Sequence, residues 1–287
     1  MRVHSLVFAF LFASIPALGI EVYQYSALEH DRFANDASFV AGAYDLSGVG
    51  RSTGNHWVTM ISDEYFITAE HFRPSTHDVR FYYTNDPLGG FEDRTVDSTF
   101  GMEIGPAGSD IWLGRLTSAT SASVTSYELL EPDPITSAEL LDILTVGIAD
   151  EGGGFTNFRV GTNQINAGSV VHRDTTGLGG VMNSESFYFT YDPLPLADNG
   201  ESVVEVFDSG APTFVVDNGA LKLIGIHSEL ADIGPTGPSN GDISYDSYVG
   251  AYGDELRSVG AIPEPGSALL FGVGSAFLLL MRRKRQR

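Results

Sequence analysis

The sequence contains no cysteine, so neither disulfide bonds nor thiolate chemistry can contribute to the fold or the function. A chain of 287 residues can still bury a sizeable core without disulfides, because the buried fraction of the surface rises with chain length. Positive charge is scarce away from the two ends, where six of the 16 basic residues lie: Arg2, Arg282, Arg283, Lys284, Arg285 and Arg287. The remaining ten face 37 acidic residues, a balance that disfavours nucleic-acid and anionic-lipid partners and favours solubility.

Long hydrophobic runs, internal repeats and long amphipathic helices are also missing between the two ends. Short apolar or alternating runs, separated by Gly, Pro, Asn, Asp and Ser, predict an all-β barrel or sandwich. The predicted strands are Phe39–Tyr44, Trp57–Ile61, Tyr65–Thr68, Val79–Tyr83, Ile111–Leu116, Leu144–Ile148, Phe158–Val160, Phe187–Tyr191, Val203–Val206, Thr213–Val216 and Leu221–His227. Short helices are predicted over Ser137–Ile143 and Asp254–Val259. Residues 20–38 are interpreted as an irregular arm. Residues 39–260 are interpreted as one compact unit, which two barrels packed together could form.

The amino terminus has the pattern of a secretory signal peptide. A short start with one basic residue leads into the apolar segment Ser5–Ala13, and small residues Ala17 and Gly19 occupy the −3 and −1 positions of a cleavage site. We therefore expect residues 1–19 to be removed during export, which makes Ile20 the first residue of the mature chain. The alternative is a buried amino-terminal helix.

The carboxyl terminus joins Pro263-Glu264-Pro265 to the uncharged run Ser267–Met281 and a basic tail. The run is shorter than the roughly 20 residues that comfortably span a bilayer, although local thinning can accommodate it. The three parts together resemble the PEP-CTERM sorting signal of Gram-negative bacteria. For residues 261–287 that resemblance implies a temporary transmembrane helix in the inner membrane and processing by an exosortase near Pro263–Pro265. The protein would then reach the cell surface or the medium. An ordinary anchor that is never cut is the alternative.

Three short segments contain the residue types that nucleophilic hydrolysis requires. Such chemistry needs a hydroxyl, a base that takes its proton, and a third group that orients the base. Ser209 lies in the turn sequence Phe-Asp-Ser-Gly-Ala-Pro before an apolar strand. His71 follows a predicted strand, and Asp110 precedes another. Taken singly, the histidine would be interpreted as structural or solvated, and the Asp110 and Asp-Ser-Gly sequences as ordinary turn chemistry.

Taken in order, these segments resemble trypsin-like serine proteases of the chymotrypsin fold. Thr68-Ala69-Glu70-His71-Phe72 is similar to Thr-Ala-Ala-His-Cys, Asp110–Leu116 to Asp-Ile-Ala-Leu-Leu-Arg-Leu, and Phe207–Pro212 to Gly-Asp-Ser-Gly-Gly-Pro. The resemblance implies a double six-stranded β-barrel over residues 39–260 that ends in a short helix. It also implies hydrolysis of peptide bonds through an acyl-enzyme: Ser209 attacks, His71 acts as base and then acid, and Asp110 orients His71. A polypeptide is the implied substrate, with no cofactor and no metal.

The same resemblance assigns residues around the reacting serine. The backbone N–H groups of Phe207 and Ser209 would form the oxyanion hole, although Phe207 replaces a glycine whose backbone freedom a Cβ restricts. Val203 would form the pocket floor and disfavour Lys or Arg side chains, while Ser228 would hold the substrate backbone. Asp208 would pair with a newly freed N-terminal amine, but no Ile-Val-Gly-Gly sequence precedes His71.

Two other functions are compatible with this sequence. One is a catalytically impaired protease-like domain that binds partners in the extracellular matrix, which the Phe207 replacement favours. The other is a structural surface protein in which the order of His71, Asp110 and Ser209 is a coincidence. His227 is interpreted as a paired core histidine near the pocket, and Asp192–Glu201 as an acidic loop rather than a calcium site.

Overall fold

A computed structural model describes residues 19–131, 135–149, 154–178, 180–192, 200–231 and 239–263. Nearly all of the predicted signal peptide, and the sorting segment from residue 264 onward, lie outside the described residues. The described part of the chain contains no helix with the length and apolar character needed to cross a bilayer.

The described residues form seventeen β-strands and two short α-helices. In chain order the strands are β1 (Glu21–Val22), β2 (Val49–Ser52), β3 (Trp57–Met60), β4 (Tyr65–Ala69), β5 (Asp78–Tyr82), β6 (Phe91–Thr95), β7 (Met102–Ile104), β8 (Ile111–Arg115), β9 (Glu128–Leu129), β10 (Asp142–Gly147), β11 (Arg159–Gln164), β12 (Val171–Asp174), β13 (Asn183–Thr190), β14 (Ser202–Val203), β15 (Pro212–Asp217), β16 (Ala220–Ala231) and β17 (Ile243–Tyr248). The helices are α1 (Ala27–His30) and α2 (Gly253–Ser258).

The amino-terminal half of the chain builds a seven-stranded sheet in the order β6-β5-β2-β3-β4-β8-β7. All its ladders are antiparallel. Successive side chains of a strand point to opposite faces of the sheet, and one of the two faces buries a common set of apolar side chains. That buried set comprises Val58, Met60, Phe66, Val79, Phe81, Val96, Leu116 and Val124. An isolated bridge between Val96 and Leu116 draws the chain after β6 toward the end of β8, which curls the sheet around this core.

The carboxyl-terminal half builds an eight-stranded sheet in the order β11-β10-β15-β16-β17-β13-β12, with β9 pairing alongside β16. The ladders are antiparallel except for the short parallel pairing of β9 with β16. Its own core comprises Ala138, Ile143, Ile165, Val170, Phe187, Phe189, Val204, Val215, Ile224 and Tyr248. A third buried cluster takes residues from both sheets, including Ile67, Leu113, Val146 and Phe214. The two sheets are therefore packed against each other through a shared apolar interface.

The mostly β architecture and the short carboxyl-terminal helix are confirmed, because α2 lies within one residue of the predicted Asp254–Val259. The prediction of two closed six-stranded barrels is not met in the described residues. The sheets have seven and eight strands, and the hydrogen-bonded order of each is open. Each sheet nevertheless has its own apolar core.

Two predicted elements are wrong. Phe39–Tyr44 was expected to be a strand, but its backbone N–H groups donate locally, from Gly42 to Phe39 O and from Tyr44 to Ala41 O, which makes a series of turns. Ser137–Ile143 was expected to be a helix, but it contains only the end of a 3₁₀ turn (Ile135–Ala138) and the start of β10. Apolar residues alone do not distinguish these alternatives, since turns can be as well buried as strands.

The segment 20–38 is short in regular structure but packed against the rest of the chain. β1 pairs with β14 in an antiparallel ladder, with Glu21 opposite Val203. Ile20 is completely buried, and Arg32 is 1% exposed, with its guanidinium donating to the carbonyl of Tyr82 at 3.0 Å. The beginning of the predicted mature chain is thus part of the folded body.

Candidate active site

The pairing of β4 with β8 brings His71 and Asp110 together. Ala69 at the end of β4 lies opposite Ile111 at the start of β8, so that the residues just beyond this rung share one end of the sheet. The N–H of Glu70 donates to the carbonyl of Asp110 at 3.0 Å and extends the ladder by one step. Two chain segments 39 residues apart therefore meet through ordinary antiparallel register.

Asp110 holds His71 through both its backbone and its ring. The His71 N–H donates to Oδ1 of Asp110 at 3.0 Å, and Nδ1 of the ring lies 2.9 Å from each carboxylate oxygen. The Asp110 side chain is 1% exposed and that of His71 is 28% exposed. A buried acceptor on Nδ1 keeps the proton on that nitrogen, which leaves Nε2 as the basic atom of the ring.

Ser209 lies in the turn between β14 and β15, on the other sheet. Its neighbour Gly210 has φ +81° and donates its N–H to the carbonyl of His227 at 2.9 Å. A Cβ on Gly210 would lie 2.5 Å from Oγ1 of Thr68 and 2.9 Å from the N of Ala69, so glycine is needed for the close approach to β4. That approach places Oγ of Ser209 2.9 Å from Nε2 of His71.

Phe207 has a positive φ of +77°, in a region that suits glycine and strains a bulky residue. The motif position at which glycine is usual therefore does require glycine-like backbone here, and the phenylalanine adopts it. In the described chain, neither the N–H of Phe207 nor that of Ser209 donates to a protein acceptor. Two backbone donors beside the serine are thus available to a ligand.

The carboxylate of Asp208 is fully buried behind this turn. It accepts the N–H of Ile148 at 2.7 Å and that of Glu205 at 2.9 Å. Burial raises the pKa of Asp208 to about 6, against the opposing effects of His227, the two N–H donors and Arg51. A Cβ added to Gly147 would meet both Oδ1 of Asp208, at 2.5 Å, and Cβ of Ile20, at 2.7 Å. The predicted first residue of the mature chain therefore lies beside this carboxylate.

His227 is a paired core histidine, as its sequence context indicated. Its Nδ1 lies 2.7 Å from Oδ1 of Asp246, its Nε2 lies 2.9 Å from the carbonyl of Val146, and its ring is buried. Both ring nitrogens face acceptors, which favours the doubly protonated form. Burial alone would lower the pKa of His227, but the ion pair with Asp246, the charge of Asp208 and the Val146 carbonyl together raise it.

A cavity of about 260 Å³ opens beside Ser209. Its lining residues are Val204, Glu205, Val206, Phe207, Ser209, His227, Ser228, Glu229 and Leu230. Ser228, which the resemblance assigns to the substrate backbone, is among these lining residues. Val203 does not line this cavity in the described chain, since it lies in β14 with its backbone paired to β1.

Glu205 is the pocket residue that the sequence comparison missed. It is 6% exposed, and its Oε1 has no hydrogen-bond partner among the described residues. Burial, with a further contribution from the charge of Asp208, raises the pKa of Glu205 to about 7. The pocket floor was assigned to Val203 from its distance in sequence to Ser209, a spacing that is taken from other proteins. A carboxylate in an otherwise apolar run, Val203-Val204-Glu205-Val206, was the signal that could have found it.

Comparison with known proteins assigns only the end of the chain. Residues 261–285 match a family model described as the PEP-CTERM protein-sorting motif. That motif implies recognition by an exosortase-type sorting enzyme, with export and membrane-associated sorting in Gram-negative bacteria. No curated protein matches the chain. In the part of the chain that the structure describes, no three His, Asp or Glu side chains form a metal-binding group.

Proposed function

We propose that the protein is an exported serine endopeptidase that hydrolyses peptide bonds through an acyl-enzyme. The observation that supports this function best is one hydrogen-bonded line. Ser209 Oγ lies 2.9 Å from Nε2 of His71, and Nδ1 of the same ring lies 2.9 Å from the buried carboxylate of Asp110. Nucleophile, base and orienting group are the three parts that such catalysis requires, each within hydrogen-bond reach of the next.

Each of the three groups has a defined role in the proposed reaction. Ser209 Oγ attacks the peptide carbonyl carbon while Nε2 of His71 takes its proton, and Asp110 stabilises the imidazolium that forms. His71 then gives that proton to the departing amine, which leaves an ester on Ser209. Water, deprotonated by His71, attacks the ester carbon and releases the acid, and the proton returns to Ser209.

The negative charge that develops on the carbonyl oxygen would be held by the N–H groups of Phe207 and Ser209. Loss of one such donor typically lowers the rate by about 10²–10³-fold. The rate of the proposed reaction therefore depends strongly on the orientation of the Phe207 N–H. Each of the two sheets has its own core, and the contact between Ser209 and His71 lies where the two sheets meet. A polypeptide substrate would place one side chain in the cavity beside Ser209 and its backbone along Ser228.

The chain termini would serve export and maturation. Removal of residues 1–19 would give Ile20 a free amine beside the buried Asp208, and a buried carboxylate is stabilised by a cationic partner. The tail would anchor the protein temporarily in the inner membrane until an exosortase cuts near Pro263–Pro265 and releases it. Residues 39–260 would then form the protease domain, behind an arm over 20–38.

Labelling with a fluorophosphonate probe tests the proposal. The serine oxygen displaces fluoride from the phosphorus of the probe only where a base and an oxyanion site activate it. We therefore expect wild-type protein to be labelled and Ser209→Ala to remain unlabelled. Ser123→Ala is the matched control, since Ser123 is exposed on a remote turn and its loss should leave labelling unchanged. Folded wild-type protein without labelling, or equal labelling of Ser209→Ala, would refute the proposal.

A catalytically impaired binding protein is the second candidate, and the strained Phe207 favours it. If the strained backbone relaxed in solution and the Phe207 N–H rotated away from Ser209, the oxyanion hole would lose a donor. The cavity beside Ser209 would remain as a binding site. Folded protein that fails to label while it binds a peptide saturably would support this function. A structural protein with a coincidental triad is disfavoured by the 2.9 Å contact between residues 138 positions apart.

A further inference from the structure

Two departures from the protease motifs contact each other beside the reacting serine. Phe72 stands where the histidine motif usually has cysteine, and Phe207 stands where the serine motif usually has glycine. Their ring centroids are 6.3 Å apart with an interplanar angle of 55°, although the residues come from different sheets. Aromatic pairs at this separation attract each other through their faces and edges. The two replacements therefore form one structural feature.

The aromatic surface continues away from the serine. The ring of His56 lies 4.6 Å from that of Phe72, and His77 stacks on His56 with centroids 5.7 Å apart. Burial, the neighbouring His77 and the charge of Arg51 together lower the pKa of His56, so that its ring is neutral at pH 7. We call Phe207, Phe72 and His56 the aromatic shelf. It is an uncharged surface in a protein whose net charge is −21.

The shelf and the cavity share Phe207 but otherwise consist of different residues. Phe207 belongs to both, because it lines the cavity and contacts Phe72. Phe72 and His56 do not line the cavity in the described chain, and Phe72 directly follows His71. A side chain on the acyl part of a substrate occupies the cavity. In the proposed mechanism His71 gives its proton to the leaving amine, so the residues after the scissile bond leave next to His71. Phe72 is the neighbour of His71 in the chain and the first shelf residue that they would meet.

The position of Phe207 contributes little to the stability of the fold. Its side chain is 43% exposed, so much of the ring stays in water, while its backbone keeps a strained positive φ of +77°. Strain of this kind is typical of functional sites, where it persists because the rest of the structure enforces it. An exposed aromatic ring next to a nucleophile offers apolar area to a bound partner.

We propose that the aromatic shelf binds an aromatic side chain of the polypeptide substrate on the leaving-group side of the scissile bond. The proposal rests on the proposed function, because it names the substrate preference of that same site. Burial of a substrate ring against the exposed surface of Phe207 and Phe72 removes apolar surface from water, and offset or edge contacts between rings add to the attraction.

Competition between two amines for the acyl-enzyme measures this preference directly. The full chain is acylated with a peptide ester, and phenylalanine amide and glycine amide are supplied together. An amine attacks the ester carbon of the acyl-enzyme and gives a proton to His71, which passes it to the departing Ser209 oxygen as the new peptide bond forms. We expect phenylalanine amide to be incorporated about tenfold faster than glycine amide, a difference of about 1.4 kcal/mol.

Shortening the shelf should reduce this ratio. Phe72→Leu is expected to lower it by threefold or more, and Phe207→Gly to lower it similarly. Both amines compete for one acyl-enzyme, so the ratio is independent of how fast each variant is acylated. Phe91→Leu is the matched control: Phe91 is 44% exposed on β6, pairs with Tyr82 away from the site, and its loss should leave the ratio unchanged.

The outcomes separate the two proposals. Fluorophosphonate labelling with no preference between the amines, or an equal ratio in wild type and both shelf variants, overturns the shelf and leaves the protease function intact. Failure of wild-type protein to label overturns the protease function and the shelf together. If Phe72→Leu does not fold, Phe207→Gly alone decides, because glycine suits its backbone.

Discussion

At the scale of single residues, Phe207 is a position where sequence and backbone disagree. Its φ of +77° costs a non-glycine residue roughly 1–3 kcal/mol, whereas glycine adopts it freely. We expect Phe207→Gly to stabilise the protein by on the order of 1 kcal/mol, after the greater unfolded-state entropy of glycine is subtracted. Thermal unfolding followed by circular dichroism measures the change.

Asn218 gives the comparison for this substitution. It also has positive φ, at +51°, in the turn between β15 and β16, but asparagine tolerates that region. Asn218→Gly should therefore change the melting temperature little. A Phe207→Gly protein that is less stable than wild type would show that contacts of the phenyl ring outweigh the backbone strain.

The candidate site residues could be predicted to very different degrees. His71, Asp110 and Ser209 could be grouped from the sequence because each lies at a strand end within a short motif, and short motifs do not depend on loop lengths. The structure brings their side chains within hydrogen-bond distance of one another. The pocket residue Glu205 was missed because its assignment relied on a count across a loop whose length varies. The positive φ of Phe207 was raised as a question, but only coordinates give a backbone angle.

At the scale of secondary-structure elements, the buried pair of His227 on β16 and Asp246 on β17 joins two central strands. The folded-state pKa of His227 is raised above its ordinary 6.5, so the folded protein binds more protons than the unfolded chain just above pH 6.5. Its contribution to stability is complete below pH 6.5 and is lost as the pH rises through the folded pKa. We expect His227→Gln to remove this loss, as measured by urea unfolding from pH 6 to 9.

The difference between the wild-type and variant profiles reports His227 together with Asp208, because the charge of His227 lowers the pKa of that carboxylate. His172→Gln is a suitable control: His172 is about half exposed and forms a surface pair with Glu185 at 3.3 Å, which contributes little. Parallel profiles for wild type and His227→Gln would contradict a charged His227.

Strands with an apolar pattern were predicted well, and those without one were not. β3, β4, β8 and β16 have apolar residues facing a core, and each was located within a few residues. β6 reads Phe-Glu-Asp-Arg-Thr and becomes a strand only through its pairing with β5, which no local pattern in the sequence reveals. Open sheet edges escaped prediction for the same reason, since closure depends on partners far apart in the chain.

At the scale of the whole molecule, Ile20, the predicted first residue of the mature chain, lies beside Asp208, which precedes Ser209 in its turn. A free amine on Ile20 would place a positive charge beside the buried Asp208 and hold the turn that carries Ser209. We expect a chain beginning at Ile20 to react with a fluorophosphonate at least tenfold faster than one with Gly-Ser added before Ile20. Initial labelling rates at equal concentrations of folded protein give the comparison.

Asp208→Asn in the chain that begins at Ile20 should slow labelling to a similar extent, because the amine then lacks its partner. Equal rates for the two amino termini would show that Asp208 is sufficiently stabilised by the backbone donors from Ile148 and Glu205. In that case, removal of residues 1–19 would have no influence on the turn that carries Ser209.

The two sheets divide the reacting groups between them: His71 and Asp110 end strands of one, and Ser209 lies in a turn of the other. An extended chain in transit through a membrane therefore carries three ordinary side chains and no reactive centre. The Ser209 hydroxyl meets His71 only after the contacts between the two sheets have formed. If the protein is the protease proposed above, this arrangement would delay reactivity until after translocation, and the nascent chain would be harmless to itself and to the machinery that exports it.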